Sequence, residues 1–368
     1  MTSTMLATFF SLTKHICRMT LRERLRHDVS VKVASKTGHF RFCAVHCGRT
    51  VEELFRRHEL IRKTQQHKDF LELTGQCVGF CCSLASFLQF EERVLLRFVA
   101  PEAVVHIESI ALGEVRGYVR NKGECDSDGS LNISRILCNK AHPVTSVTHA
   151  DAADLSHRLG VQELGHLMAH DLSLHALNFM MKSEGAEHAA LLVETGIDME
   201  DCTAVAIAGI AQPIAPPVEA EGLLVPLRTA LLNPEVRRTT RLAMLDATNR
   251  GFGAQYLLSL FSGDYVGAEA TAVAARQLVD EIAACRECIE PMREMMGITS
   301  TTIPLDPETT ERTRLDFFCR CSAADVIARL TSWPKEDLLS SFGEDGTLES
   351  RCAMCAKTYT FTRSQLGV

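Results

Sequence analysis

The sequence predicts an α+β protein with a mixed-sheet and helix body, a helical linker and a small cysteine-bearing domain at the C-terminus. Strand and helix patterns mix in the body without the regular βαβ alternation of a parallel sheet. Pro213, Pro216 and Pro217 close this body, and the composition changes after them. Four of the 15 cysteines then fall in two close pairs near the end of the chain. These observations divide the chain into three parts: 30–217, 218–314 and 315–368.

The overall composition excludes several classes of protein. Of the 368 residues, 46% are hydrophobic and 23% are charged, which is typical of a globular protein and not of a disordered or fibrous one. The net charge of -7 leaves no basic field over the whole molecule of the kind that binds nucleic acid or anionic lipid. The charge-poor stretch at 70–88 contains Gly75, Gly79 and Ser83, which favours a helix buried in a core over a membrane span. We therefore expect no nucleic-acid partner and no membrane partner.

The N-terminal residues, 1–29, are a separate extension. Residues 1–22 contain no Asp or Glu but do contain Lys14, Arg18 and Arg22, and they are rich in Ser and Thr. An acid-poor, basic leader of this kind resembles a mitochondrial transit peptide, and a disordered tail is the other interpretation. An odd number of cysteines in a long chain favours a reducing compartment over a secreted disulfide framework. We expect a cytoplasmic protein, with the mitochondrial matrix as the alternative.

The body shows strand and helix signals in turn. Residues 40–47 are apolar and partly alternating, which predicts a strand. Thr50 and Glu53 form a capping-box pattern ahead of a helix that reaches His58. A buried helix is predicted at 69–88. The remaining signals of the body are strands at 93–99, 103–110, 114–120 and 188–194, a small-residue apolar run at 203–212 and a helix at 160–181.

The segment after the body has helical character. Residues 218–310 are rich in Leu, Ala, Thr, Glu and Arg and offer few β-branched strands, so we interpret 218–314 as a helical linker of moderate stability. Cys285 and Cys288 form a CxxC pair on a predicted helix of this segment, outside any βαβ pattern, which argues against a thioredoxin-like dithiol. Packing is one interpretation of the pair, and a secondary redox site is the other.

The terminal domain combines short helices with a hairpin. Ser322 and Asp325 open a short helix, and Pro334 suits the first turn of a second one. Gly343 to Gly346 predicts a turn. Residues 347–361 then predict two short strands around a tight knuckle.

The two cysteine pairs of this domain predict a metal site. Cys319 and Cys321 form a CxC pair, and Cys352 and Cys355 form a CxxC pair. Zn²⁺ prefers four thiolates in a tetrahedron, which two such pairs supply when a short hairpin brings them together. A domain this small has few large apolar side chains, whereas structural zinc contributes about 10–16 kcal/mol to the folding of such units. The sequence therefore predicts one Zn²⁺ per chain.

A metal site of this kind fits three classes of function. A constitutive zinc ribbon that binds a partner is the first, but residues 319–368 hold six basic and six acidic residues, so the basic excess of a phosphate-binding ribbon is missing. A redox switch is the second, because oxidants attack thiolates and a disulfide within a pair removes two zinc ligands. A thiol-disulfide oxidoreductase is the third. The switch is the sharpest of the three, since loss of the metal should unfold so small a domain.

The cysteine motifs and several motifs of the body resemble one known family. The matching segments are Phe318–Ser322, Gly343–Gly346, Cys352–Cys355 with Tyr359 and Phe361, Gly113–Tyr118, Phe179–Glu184 and Thr50–His58. Together they are similar to the redox-regulated thirty-three-kilodalton heat-shock chaperonin family. The resemblance covers about 40–215 and 315–366.

This resemblance implies a function and assigns roles to residues. A member of the family is an ATP-independent holdase and not an enzyme, with a chaperone body at 30–217. In the reduced, inactive form Cys319, Cys321, Cys352 and Cys355 would be the zinc ligands. Oxidation would form the disulfides Cys319–Cys321 and Cys352–Cys355, release the metal and unfold the linker. The activated protein would dimerise and hold unfolded client proteins.

Overall fold

The structure of the chain, a computed structural model, gives the body and the terminal domain in detail. It describes residues 27–63, 68–90, 92–99, 103–121, 130–137, 140–141, 145–148, 172–183, 186–198, 203–214, 218–249, 252–271 and 279–368. Most of the expected N-terminal extension and the first part of the helix predicted at 160–181 lie outside these ranges.

The elements follow one another in a mixed order. In the chain they are β1 (Val29–Ser35), β2 (Phe40–Cys47), α1 (Arg49–His58), α2 (Leu60–Lys63), α3 (Lys68–Ala85), β3 (Arg93–Val99), β4 (Ala103–Ile110), β5 (Glu114–Asn121), β6 (Ser130–Leu137), β7 (Lys140–Ala141), β8 (Thr145–Thr148), α4 (Leu172–Ser183), β9 (Ala190–Asp198), β10 (Thr203–Pro213), α5 (Val218–Leu232), α6 (Pro234–Asn249), α7 (Gly253–Ser262), α8 (Tyr265–Thr271), α9 (Val279–Met295), β11 (Leu305–Arg314), β12 (Asp316–Phe317), α10 (Ala323–Leu330), α11 (Lys335–Ser340), β13 (Thr347–Arg351), β14 (Thr358–Thr362) and α12 (Arg363–Leu366). This mixture of helices and antiparallel strands confirms the α+β class.

The first sheet has apolar side chains on both faces. Among the described residues its strand order is β11-β1-β2-β10-β9, and neighbouring strands are antiparallel. Because successive side chains of a strand point to opposite faces, Cys43 and Val45 of β2 join one core and Phe42 and Ala44 join the other. A sheet covered on both faces explains why β2 and β10 read as nearly continuous apolar runs.

The helix α3 lies between the two large sheets. One side of α3 packs on β9 and β10 of the first sheet, and the other packs on β3 and β4 of the second sheet, whose order is β12-β5-β4-β3-β6-β7 with β8 beside β6. A Cβ on Gly75 would lie 2.5 Å from the side chain of Thr195, so the close approach of α3 to β9 requires glycine. The buried helix predicted at 69–88 is thereby confirmed. Within the described ranges, no helix is both long enough and apolar enough to cross a membrane.

The predicted capping box at the start of α1 is wrong. Gly48 is the N-cap, and as a glycine it has no side chain that could cap the helix. The carboxylate of Asp28 instead accepts hydrogen bonds from the backbone N–H groups of Gly48, Arg49 and Thr50, at 2.9, 3.3 and 2.6 Å. Glu53 pairs with arginines one turn further along the helix. The cap comes from a distant part of the chain, so spacing within 50–53 carried no information about it.

The segment at 218–314 is helical over most of its length and packs on the body. Helices α5 to α9 lie within it and share a core with the outer face of the first sheet. The structure differs from the sequence-based expectation at Leu305–Arg314, which is a strand paired with β1 from Val29↔Arg314 to Ser35↔Leu305. Its side chains are mostly polar and half of them are exposed, as is common at a sheet edge, and such a strand lacks an apolar signal. The division of the chain into functional domains stays a prediction.

The terminal domain folds as its local patterns predict. Ser322 accepts from the N–H of Asp325 at 3.1 Å and donates its own N–H to the Asp325 carboxylate, so the predicted helix start at Ser322 is confirmed and takes the form of a capping box. Pro334 is the N-cap of α11, and β13 pairs antiparallel with β14. The core of the domain is small and consists of Leu330, Leu338, Leu348, Tyr359, Phe361 and Leu366.

Candidate metal centre

Four sulfur atoms of the terminal domain lie together where this domain meets the body. The Sγ atoms of Cys319, Cys321, Cys352 and Cys355 all lie within 4.8 Å of one another. Sγ of Cys319 lies 3.9 Å from Sγ of Cys352, and Sγ of Cys321 lies 3.4 Å from Sγ of Cys355. Sulfurs about 2.3 Å from a tetrahedral zinc are separated by about 3.8 Å, so the four thiols match that ligand set. They are close enough to hold a metal ion.

The first pair is held between a sheet edge and a helix start. β12 adds in parallel to β5, and the N–H of Phe318 donates to the carbonyl of Val115 at 2.8 Å. The chain then leaves the sheet at Cys319. Ser322, the N-cap of α10, follows directly after Cys321. Both ends of the CxC segment are therefore fixed by backbone hydrogen bonds.

The second pair lies in the turn of the hairpin. The N–H of Cys352 donates to the carbonyl of Lys357 at 2.9 Å, and the N–H of Ala356 donates to the carbonyl of Cys352 at 2.8 Å. Ala356 has φ of 57°, a left-handed conformation that closes the turn. Cys352 and Cys355 therefore face the CxC segment together.

Tyr359 of β14 acts directly on one sulfur. Its hydroxyl donates to the carbonyl of Cys321 at 3.0 Å or to its Sγ at 3.1 Å. Burial alone would raise the pKa of Cys321, but hydrogen bonds from Tyr359 and Cys355 outweigh it and lower this pKa to about 7. Burial raises the pKa of Cys319 and of Cys355. Without a metal, Cys321 is therefore the thiol of the three that ionises most readily.

Arg116 of β5 joins the sulfur cluster to the body. Its Nη1 donates to Sγ of Cys319 at 3.7 Å, while its Nη2 lies 2.7 Å from the carboxylate of Glu108. Glu108 is 5% exposed and also accepts from Arg93 at 2.8 Å. The sequence pointed to Gly113–Tyr118 only as a family motif. It contained no signal that Arg116 would reach a cysteine more than 200 positions away.

A second ion pair lies beside the first. Arg320, between the two cysteines of the CxC pair, donates to both carboxylate oxygens of Glu114, at 2.7 and 2.9 Å. Arg351, which directly precedes Cys352, donates to the carbonyl of Arg57 in α1 at 3.2 Å. The metal centre is therefore docked on the body from both of its cysteine pairs.

The other cysteines that the structure describes are separate from this cluster. The backbone of the Cys285–Cys288 pair lies on α9, and the side chain of Cys288 is half-buried against the helix layer; the side chain of Cys285 lies outside what the structure describes. Cys77, Cys81 and Cys82 are buried in α3 as small core residues, and burial raises the pKa of Cys77 and Cys81.

Comparison with known proteins gives the family. The family model described as Hsp33 protein matches residues 28–196 and 267–362, which include all four clustered cysteines. The chain belongs to the Hsp33 family. The family resemblance predicted from the cysteine motifs is thereby confirmed. The residues between the two matched segments hold β10 and the helices from α5 to α7.

Two relatives show how far this chain has diverged within Hsp33. It is 33% identical over 61 residues to the 33 kDa chaperonin of Brevibacillus brevis, and this match spans 17% of the chain and only 21% of the relative's length. The crystal structure of the 33 kDa chaperonin (heat shock protein 33 homolog) from Thermotoga maritima is similar with a TM-score of 0.56 at 16% identity. That similarity covers 93% of this chain and 97% of the other, so the Hsp33 fold extends over nearly the whole molecule.

Proposed function

We propose that this protein is a redox-regulated, ATP-independent molecular chaperone, a holdase that binds unfolding proteins after its zinc-bound cysteines are oxidised. The observation that carries the proposal is the meeting of four thiols from two distant pairs at the base of a domain whose hydrophobic core has only six side chains. Membership of the Hsp33 family supports a chaperone and not an enzyme. Clients would be unfolded or partly unfolded proteins, with no nucleic acid or membrane involved.

The reduced state depends on the four thiols acting together. Cys319, Cys321, Cys352 and Cys355 would hold one Zn²⁺, which keeps the four sulfurs as thiolates in one place. Cys321 and Cys352 also pack against the small core of the domain. About 10–16 kcal/mol of apparent folding free energy from the metal exceeds what so small a core supplies alone. The cysteines therefore control whether the domain is folded.

Oxidation removes these ligands in pairs. A disulfide between Cys319 and Cys321 and another between Cys352 and Cys355 each take two electrons from two thiolates and leave no ligand behind. The contribution of the metal is as large as the whole stability of a typical domain, about 5–15 kcal/mol. We expect the terminal domain to unfold as a result.

The connection to the body would transmit this unfolding. The CxC segment follows β12 and β11, and β11 is the edge strand of the first sheet. Leu305 of β11 is fully buried in the core that helices α5 to α9 share with Phe42 and Ile207. Loss of the strand would loosen this helix layer and expose an apolar sheet face, which is the kind of surface that unfolded clients and a second copy of the chain can bind.

We propose that the protein works in a reducing compartment, the cytoplasm or the mitochondrial matrix.

Suppression of client aggregation tests this proposal. Reduced, zinc-loaded protein and oxidant-treated protein are added without ATP to a protein that aggregates on heating, and light scattering is followed. We expect suppression only after oxidation, together with release of about one zinc per chain to a chelating dye. Size-exclusion chromatography of both forms checks dimerisation. Cys77→Ser serves as the cysteine control, because Cys77 is buried outside the metal centre.

Three outcomes would contradict the proposal. Equal suppression by reduced and oxidised protein would favour a constitutive zinc ribbon. Turnover with a dithiol donor would favour an oxidoreductase. Retention of zinc after complete oxidation of the thiols would remove the switch itself.

A further inference from the structure

A groove of about 630 Å³ opens beside the sulfur cluster, between α10 and the turn of the β13–β14 hairpin. Ala328 and Trp333 line it on the helical side, and Met354 lines it on the side of the turn. Of the four clustered cysteines, all of which the structure describes, Cys321 and Cys352 line this groove. Each of the two belongs to a different pair.

The remaining two cysteines differ in their surroundings. Cys355 is 2% exposed, whereas Cys319 is half-buried, like Cys321 and Cys352, and lies against Arg116 at the junction with the body. Neither is part of the groove. Each pair therefore combines one cysteine that lines the groove with one that does not.

The charge around the groove does not exclude an oxidant. Its basic residues are Arg116, Arg320, Arg329 and Arg351, and its acidic residue is Asp325. Glu108 and Glu114 pair with the first two arginines, so the guanidinium groups of Arg329 and Arg351 offset the negative charge of the thiolates. A small peroxide can therefore approach the sulfurs from this side.

We propose that the groove is the entry for a small peroxide oxidant, that Cys321 and Cys352 are the sulfurs it attacks first, and that Cys319 and Cys355 are the resolving cysteines. This inference rests on the proposed redox function and assigns different roles to the two members of each pair. It follows from access, since reaction with an oxidant requires a thiolate that the oxidant can reach.

The chemistry of the CxxC pair proceeds in two steps. The sulfur of Cys352 attacks one oxygen of the peroxide, an S–O bond forms, the O–O bond breaks and hydroxide leaves. The thiolate of Cys355 then attacks the sulfur of Cys352, the S–S bond forms and a second hydroxide leaves. Two electrons pass from the two thiolates to the peroxide. Cys321 and Cys319 react in the same way.

The first test maps the sulfenic acid directly. Reduced, zinc-loaded full-length protein receives less than one equivalent of hydrogen peroxide in the presence of dimedone, is quenched early and is digested for mass spectrometry. We expect dimedone adducts on Cys321 and Cys352 to outnumber those on Cys319 and Cys355 by roughly threefold or more, because only accessible thiolates react quickly. A majority of adducts on Cys319 or Cys355 would overturn the proposal.

The second test blocks the groove without touching a ligand. Ala328→Trp fills it from the exposed face of α10, and Ala324→Trp, one turn earlier on the same helix, adds the same bulk outside it. With peroxide, Ala328→Trp should release zinc roughly threefold more slowly than the unsubstituted protein, and Ala324→Trp should match it. Equal rates for the two variants would contradict entry through the groove.

The two proposals fail in different ways. If the adducts map to Cys321 and Cys352 but oxidised protein does not suppress aggregation, the entry route stands and the chaperone proposal falls. If oxidised protein suppresses aggregation but the adducts map to Cys319 and Cys355, the chaperone proposal stands and the entry route falls.

Discussion

The guanidinium group of Arg116 reaches Sγ of Cys319 across 3.7 Å and at the same time holds the buried carboxylate of Glu108. One side chain of the body thus contacts both a candidate metal ligand and the charge network of the second sheet. A thiolate accepts a stronger hydrogen bond from a cation than a neutral thiol does. Docking of the terminal domain on the body should therefore depend on the state of Cys319.

Arg116→Gln should weaken this docking. The variant loses the bond to Cys319 and one of the two arginine partners of Glu108, while Arg93 still neutralises that carboxylate. We expect the free energy of unfolding of the reduced, zinc-loaded protein to fall by about 1–3 kcal/mol, and zinc release on oxidation to accelerate. Urea unfolding and a zinc dye measure the two effects. Arg120→Gln, on the exposed part of the same strand, is the control, and equal behaviour of the two variants would show that the contact to Cys319 has no influence.

Gly113→Ala should disturb the place where the chain passes from β11 of the first sheet to β12 of the second. Gly113 has φ of 92°, and a Cβ there would overlap the carbonyl oxygen of Arg314, which lies just before β12. The substitution must push β11 and β12 away from β5, at a cost of about 3 kcal/mol or more. If the edge strand controls the helix layer, the reduced variant should already suppress client aggregation in part.

Gly297→Ala is the matched control for this substitution. Gly297 also has a positive φ, of 69°, but nothing lies within 4 Å of a Cβ placed there. Its free energy of unfolding should fall only by the cost of placing an alanine in the left-handed conformation, about 1 kcal/mol. The reduced variant should stay inactive. Aggregation assays on both reduced variants decide the point. If neither reduced variant suppresses aggregation although Gly113→Ala is destabilised, the contact of β11 and β12 with β5 at Gly113 does not control client binding.

The parts of this structure that the sequence predicted are local. The strand at Arg93–Val99 and the cap of α10 at Ser322 depend on residues a few positions apart, and both are found where the pattern placed them. The cysteine motifs also carried their meaning locally, because CxC and CxxC spacings are short enough to bring two thiols to one point.

The parts that the sequence did not predict depend on distant segments. The cap of α1 comes from Asp28, and Leu305–Arg314 becomes a strand because β1 offers a free edge to it. Tyr359 and Arg116 become part of the metal centre only when the hairpin and β5 are in place. Propensity and periodicity describe neighbours along the chain, so they contain no information on such contacts.

Cys288 should report on the helix layer. Its side chain is half-buried against the outer core in the reduced fold. If oxidation loosens helices α5 to α9, alkylation of Cys288 should accelerate by about tenfold or more, because loosening of the layer would expose this side chain. Cys77, fully buried in α3, should remain protected and is the control. Mass spectrometry after pulsed alkylation measures both, and it also shows whether a disulfide forms between Cys285 and Cys288.

Tyr359→Phe should shift the pH dependence of metal binding. The hydroxyl of Tyr359 lowers the pKa of Cys321, which is about 7, so its removal raises that pKa. Zinc binding requires the thiolate, and protons compete with the metal as the pH falls. At pH values above the ordinary pKa of cysteine, the ionised sulfur of Cys321 stabilises the fold of the metal-free domain. This contribution disappears as the pH falls through about 7.

The variant should therefore bind zinc more weakly near neutral pH and approach the affinity of the unsubstituted protein at higher pH. Competition with a chelating dye over a series of pH values measures the shift. Tyr118→Phe removes a hydroxyl that contacts Arg120 instead, and its profile should be unchanged. If the pH profile of zinc binding is the same for Tyr359→Phe and for the unsubstituted protein, the tyrosine does not act on Cys321.

Removal of zinc from the reduced protein should unfold the terminal domain and leave the centre of the body folded. The domain core holds Leu330, Leu348 and Phe361 with three other residues, whereas α3 is buried between two sheets. After chelation, the amides of β13 and β14 should exchange with solvent by orders of magnitude faster, since about 10–16 kcal/mol of folding free energy is lost. Hydrogen exchange is a better readout here than tryptophan fluorescence, because Trp333 is already 48% exposed.

The amides of β11 separate local unfolding from transmission to the body. β11 is hydrogen-bonded to β1 and carries the buried Leu305, so it has reasons to stay folded that do not involve the metal. If the terminal domain controls the helix layer, β11 should lose part of its protection after chelation while α3 keeps all of it. Full protection of β11 beside an unfolded β13–β14 hairpin would confine the switch to the terminal domain, because unfolding would then stop at β12 and the apolar sheet face would stay covered.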